Sequence, residues 1–291
     1  MPAPTLDFDP RMFGLVCAIV AVGIALKWRS ITRKPVVLVN GDSTRVGNLV
    51  LSSSEFSSAA RMHRADGSKS QEMIELVHPN LGRLEGAIGN DLEAVARAFP
   101  MNVDVFEINV PLAGKGRSRV ELHKDGVVIH HSHGRRLLPL FDLTMSRDPD
   151  DAKQVALAIG VPSREILTLT FGNTALAEVF LERVQQRRET PSPLAREQLE
   201  VLASATDVLG QLRDRERRGY REGALSMADL AILASHPDAS PKIRIAAAQV
   251  VAESGNEAAK AVALEMKQSL FEELRECSEE IEATRRRAAG R

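Results

Sequence analysis

Cysteine is nearly absent: two in 291 residues, Cys17 inside an apolar run and Cys277 close to the end of the sequence. So placed, they imply no disulfide framework, and a reducing surrounding suits them. Aromatic side chains are scarce at 4%, with one Trp and one Tyr, which argues against base-stacking platforms and large aromatic ligand pockets. Neither sign of charge is in surplus. A formal net charge of −1 gives no support for nucleic-acid binding, which draws on a basic excess. No motif names a reaction outright, and no cofactor is implied.

The chain does hold one long apolar stretch, Met12 to Leu26, MFGLVCAIVAVGIAL. As a helix it spans about 22 Å, somewhat short of a hydrocarbon core of about 30 Å. Flanking Arg11 and Lys27 can snorkel, and Trp28 suits the interface. A buried core helix and a cleaved signal peptide are the alternatives. The start, MPAPTLDFDPR, is more acidic than basic, and the run ends in KWRSITRK, which disfavours cleavage. The expectation is a single transmembrane anchor, with Met12, Phe13, Leu15, Val16, Ile19, Val20, Val22, Ile24 and Leu26 facing lipid and Trp28 at the headgroups. Lys27, Arg29, Arg33 and Lys34 follow the span and Arg11 alone precedes it, so the rest of the chain is expected on the cytoplasmic, matrix or stromal side of a bacterial or organellar inner membrane.

After the anchor, VVLVN reads as a strand leading into Gly41-Asp42-Ser43. That turn resembles the nucleophile block of SGNH-type hydrolases, with Ser43 as nucleophile, Asn90 of Gly89-Asn90-Asp91 in the second block, and Asp229 or Asp125 with a nearby histidine in the third. Against this stands ordinary turn chemistry. No strand delivers Asn90, and nothing sets a base within reach of the serine. SKSQEMIELV has Met73, Ile74 and Val77 at helical spacing. LGRLEGAIG also reads as helix or loop, before a helix from Asp91 to Phe99.

Two β signals follow. VDVFEINV alternates imperfectly, and Lys124-Asp125-Gly126 separates RVELH from VVIHH as a hairpin turn, which would set Leu122 against Ile129. Val120, Leu122, Val127 and Ile129 then share one face, and Glu121, His123, Val128 and His130 the other. Four histidines, His123, His130, His131 and His133, crowd this hairpin. Two imidazoles and a carboxylate are plausible zinc ligands, which makes His123, His130 and Glu121 metal candidates. An exposed strand face also tolerates such histidines with no metal.

The anchor, SQEMIELVHPNLGRLEGAIG, VDVFEINV, PLAGKG and RVELHKDGVVIH come in an order that resembles the cytochrome c oxidase assembly factor one family and the related accessory subunit of the mitochondrial inner-membrane protein translocase. The resemblance covers residues 12–35 and 68–143. Val127 and Val128 stand where the family often has Trp. It implies a single-pass protein with a small α+β domain that holds partner subunits without catalysis.

Beyond this the chain reads as helical. DPDDAKQVALAIG carries an Asp cap, Pro at the first helical position and a Gly stop, and PSREILTLTFGNTALAEVFLERVQQRRE continues. TPSP at 190–193 is a linker, and a helix is expected over 194–213. ADLAILASH, PDASPK and IRIAAAQVVAESG look like one HEAT-type helical pair, its second helix Ala-rich and carrying an Arg. The expected organisation is α+β: tail and transmembrane anchor over 1–34, a small helix-plus-antiparallel-sheet domain over 35–147, a helical connector over 148–190, and an α-helical domain with a HEAT-like hairpin over 191–291. The expected function is non-enzymatic, an assembly factor, accessory subunit or scaffold of a respiratory or translocation membrane complex, with the bilayer and complex subunits as partners. The alternative is a membrane-tethered hydrolase using Ser43, Asp42 and Asn90.

Overall fold

A computed structural model describes residues 37–40, 43–46, 49–88, 95, 97–99, 101–108, 118–131, 134–160, 165–189, 192–218 and 224–290. The first strands are β1 (Val37–Asn40), β2 (Ser43–Val46) and β3 (Leu49–Ser52), followed by β4 (Ser58–Asp66), β5 (Lys69–His78) and β6 (Gly82–Ile88). Next come β7 (Asp104–Ile108), β8 (Ser118–Leu122), β9 (Gly126–His131) and β10 (Gly134–Pro139). These ten form one sheet in the order β10-β9-β8-β7-β4-β5-β6-β1-β2-β3. Neighbours are antiparallel except at two joints, where β1 runs parallel to β6 and β4 parallel to β7. Strands β11 (Leu143–Arg147), β12 (Gln154–Ile159) and β13 (Glu165–Thr170) form a second, antiparallel sheet. Helix α1 (Thr174–Arg188) follows.

The sheets and α1 enclose an apolar core that includes Phe106, Val120, Leu122, Leu157, Leu169 and Phe180. A bridge from Ile108 to Phe171 ties β7 to the end of β13 and closes the two sheets around it. Phe180 of α1 meets Phe106 edge-on at 5.1 Å. Burying a side chain of that size stabilises by about 1.5–3 kcal/mol. Asn173 fixes where α1 begins: its Oδ1 accepts from Leu176 N at 2.8 Å, while Nδ2 donates to Gly67 O and Lys69 O of the β4–β5 turn. A smaller cluster, with Val39, Ile74, Leu76, Leu84, Val95 and Phe99, underlies β1 and β4–β6.

The remaining helices are α2 (Arg196–Ser204), α3 (Val208–Arg217), α4 (Met227–Ser235), α5 (Pro241–Glu253), α6 (Ala258–Lys267) and α7 (Glu272–Ala289). They share a separate core around Leu202, Leu212, Leu233, Ile243, Val251 and Met266. Small side chains let α5 sit at its centre, with Ala247, Ala248 and Ala252 fully buried. The helix expected over 194–213 is two helices. Asp207 makes the break, its Oδ1 accepting from Gly210 N at 2.8 Å to cap α3.

The small helix-plus-sheet domain is corrected on several counts. SQEMIELV, read as helix and taken as helical in the family resemblance, is strand β5, paired on both sides. LGRLEGAIG contributes β6. QVALAIG is strand β12, so the helical connector over 148–190 becomes two strands and α1. The acidic residues expected to cap a helix at 148–151 cap a turn instead: Asp148 Oδ1 accepts from Asp150 N, and Asp151 Oδ1 from Lys153 N. In the β8–β9 hairpin the register is Leu122 to Val127, two residues from the expected one. A slip of two preserves faces, and Val120, Leu122, Val127 and Ile129 are all buried together.

Among the described residues no helix is long and apolar enough to cross a membrane. The single-pass transmembrane architecture, and the inner-membrane localisation drawn from it, are corrected on that finding. The run Met12–Leu26, with Trp28, lies outside the described residues.

Candidate functional site

The β8–β9 turn carries the chemistry that joins sheet to helices. Its closing bond, from His123 N to Gly126 O at 2.9 Å, leaves Lys124 and Asp125 at the tip. Asp125 is 3% exposed. Its Oδ1 accepts from Arg244 Nη1 of α5 at 2.8 Å, and its Oδ2 from the Ser269 hydroxyl at 2.5 Å. Arg244 is 1% exposed and also donates from Nε to Ala234 O at 3.0 Å. A buried carboxylate and guanidinium thus satisfy one another across the junction, as burial of charge demands. Around them Lys124 Nζ reaches Glu265 of α6 at 2.7 Å, and Arg188 of α1 reaches Asp238 at 3.1 Å. Arg188 also donates to Leu140 O and Leu143 O.

Two neighbouring clefts open at this junction. One, about 350 Å³, is lined by Asn102, His123, Lys124, Arg187, Glu265 and Gln268, among others. The second, about 340 Å³, shares Lys124, Arg187 and Glu265 and continues over Ala231, Ile232 and Val262. Arg187 is held by Asp104: Nη2 donates to Asp104 Oδ2 at 2.7 Å and to Asn102 O at 3.1 Å. Asp104 is buried and also accepts from His63 Nε2 at 3.0 Å, while Arg61 and Arg183 stand 4.0 and 3.8 Å away. Burial alone would raise the Asp104 carboxyl. The His63 hydrogen bond and the Arg187 charge outweigh it and hold the group below its ordinary value. His63 is itself stacked on Phe106, with centroids 4.6 Å apart.

The metal candidates do come together. Glu121 Oε2 lies 3.2 Å from His123 Nε2, and Oε1 lies 3.1 Å from His130 Nε2. Arg119 completes the group, contacting Glu121 through Nη2 and Glu75 of β5 through Nη1 at 3.1 Å. Burial pushes the Glu121 carboxyl up, but hydrogen bonds from His123, Arg119 and His130 bring it well below the usual carboxylate range. A guanidinium on the carboxylate repels a cation there, and among the described residues no group of three or more His, Cys, Asp or Glu side chains could hold a metal ion. The arrangement is an ion-pair network across strands. A parallel one joins Arg64 to Glu107 at 2.6 Å and to Glu85 at 3.1 Å.

The hydrolase candidates are dispersed. Ser43 begins β2, with β1, β6, β5, β4, β7 and β8 between it and β9, the strand of His130 and His131, in sheet order. Asp42 and Asn90 lie outside the described residues. Asp229 caps α4, accepting from Ser226 N at 2.9 Å, and both oxygens of Asp125 are occupied as above. Cys277 is half-buried on α7, where burial and the charges of Glu280, Glu276 and Glu273 push its thiol up, away from nucleophilic form.

His63, Asp104, Arg187 and the Asp125–Arg244 pair were not recognisable as a site from sequence. An arginine within an Ala-rich helix and an aspartate at a hairpin tip were the visible signals. Their pairing spans 119 positions.

No family model matches the chain, and no curated protein matches it. Among solved structures, inner membrane complex sub-compartment protein 3 from Toxoplasma gondii is similar over 29% of this chain and 73% of that one, at 14% identity and a TM-score of 0.24.

Proposed function

We propose that this protein is a non-enzymatic scaffold or accessory subunit of a protein complex. The observation that supports this reading best is the buried Arg244–Asp125–Ser269 joint, which fixes a helical unit on a β unit and makes one composite surface from both. The charged groups at that joint are engaged in holding structure. Asp104 and Glu121 are each held by cationic and histidine partners, and Asp125 by Arg244 and the Ser269 hydroxyl.

The test is a tagged pull-down of the full chain from native extract, with the stoichiometry of co-purifying proteins measured. The expected result is near-stoichiometric recovery of a defined set of subunits, reduced when Asp125→Asn loosens the joint. Recovery of the protein alone overturns the proposal. Labelling by a serine-directed probe that is lost in Ser43→Ala would put a hydrolase in its place.

A further inference from the structure

We propose that the cleft where the β8–β9 turn, α1 and α6 meet is a binding site for a small oxyanion, a carboxylate or a phosphate group. The argument starts from where the charges point. Asp104 and Asp125 are each 3% exposed and act as internal counter-ions. Both Asp125 oxygens are occupied by Arg244 and Ser269, and Asp104 is ringed by His63 and three arginines. The side chains that line the cleft and reach solvent include Arg187, Lys124 and His123, with side-chain exposures of 25%, 45% and 22%.

The ionic cluster around the cleft is balanced, so its exposed members set the sign that a ligand meets. Arg61, Arg183, Arg187, Arg244 and Lys124 face Glu72, Asp104, Asp125 and Glu265, and the adjoining groups add Arg119 and Arg188 against Glu75, Glu121 and Asp238, so cations and carboxylates balance at seven each with the histidines neutral. Of those carboxylates Glu265 is the most exposed, at 42%, and it rests on Lys124 at 2.7 Å. It already does there what a ligand carboxylate would do. Displacing it frees Lys124 and leaves the cluster one cation in surplus.

Donors are available. Arg187 spends Nη2 on Asp104 and Asn102 O, and its other N–H groups have no partner among the described residues. That leaves Arg187 single-point donors at Nη1 and Nε for an oxyanion, and Lys124 adds a point charge. The carboxamides of Asn102, from the β unit, and Gln268, from the helical unit, line the cleft as further donors. A volume of about 350 Å³ lies in the range of small-ligand sites. Because the walls come from both the β unit and the helical unit, a bound oxyanion also braces the joint.

The test is isothermal titration calorimetry of the full chain with inorganic phosphate and, separately, succinate, at constant ionic strength in chloride. Saturable one-site binding of either supports the site, and which of the two binds tells phosphate from carboxylate. Glu265→Gln removes the internal competitor and is expected to tighten binding about two- to fivefold, the range of an exposed ion pair. Gln268→Glu places a carboxylate on the wall and is expected to weaken binding roughly tenfold or more. Asn102→Asp does the same from the other wall, so loss of fold in one variant, seen by circular dichroism, leaves the other to decide. Absence of saturable binding in both wild type and Glu265→Gln overturns the proposal. So does affinity that stays the same in all three variants, the mark of an adventitious ion only.

Discussion

Glu121 meets three donors at once, and its behaviour with pH follows from that. The folded carboxyl titrates well below the ordinary glutamate value of 4.5, because His123, Arg119 and His130 bond its charged form. Asp104 is likewise held below 3.8 against the pull of burial. A carboxyl depressed on folding contributes stability that is fully present above its unfolded value and is lost as pH falls through the folded value. The urea midpoint is therefore expected to begin falling near pH 4.5 and to keep falling to the lowest pH measured. Glu121→Gln should flatten part of that fall. An identical acid slope in wild type and variant would remove Glu121 as a contributor. Part of this group was legible: alternation along RVELH and VVIHH puts Glu121, His123 and His130 on one strand face. Arg119 lies on that face too, but its second partner, Glu75, sits on β5, with β7 and β4 between them in sheet order. That order depends on the parallel joint of β4 with β7, which leaves no mark in local sequence.

At the scale of elements, β5 and β6 show why periodicity misled. Helical spacing was read from Met73, Ile74 and Val77, yet Ile74 and Leu76 are the residues on the core face. The opposite face is not plainly polar: Glu75 is 6% exposed beneath Arg119, and Met62 of the neighbouring strand 4%. A strand buried on both faces has no clean alternation, so a short helical pattern can be drawn through it. LGRLEGAIG reads as helix or loop, yet its Gly86 answers to packing within the sheet. A Cβ there would lie 2.7 Å from Val37 Cγ1 and 3.1 Å from Val37 O, so the closeness of β6 to β1 requires its absence. Gly86→Ala is expected to destabilise by about 1–3 kcal/mol as an overpacked site. The check is chemical denaturation, with Gly67→Ala compared. At Gly67 nothing lies within 4 Å, and the cost there comes from its φ of +56° alone. A Gly86→Ala variant as stable as wild type would mean that the two strands move apart freely.

For the whole molecule, the apolar clusters of the β and helical units are separate, and the joint between them is largely polar. That helices stand at α4 and α5 could be read from Ala-rich spacing. The docking of that pair could not, because it turns on a residue at a hairpin tip 119 positions away. An interface of this kind has a distinct energetic signature. Removing one member of a buried ion pair strands the other charge and costs about 3–5 kcal/mol, whereas replacing both by apolar groups is often near neutral. Asp125→Asn and Arg244→Met are each expected to be strongly destabilising, and Asp125→Leu with Arg244→Met to recover most of the loss. Because each unit keeps its own core, the single variants should also split the calorimetric melt. The helical unit would unfold or undock first, and the β unit near the wild-type temperature. Additive single losses in the double variant, with one cooperative melt throughout, would show that the units are joined chiefly by other contacts, such as Lys124–Glu265, Arg188–Asp238 and the Phe141–Phe271 rings at 6.0 Å.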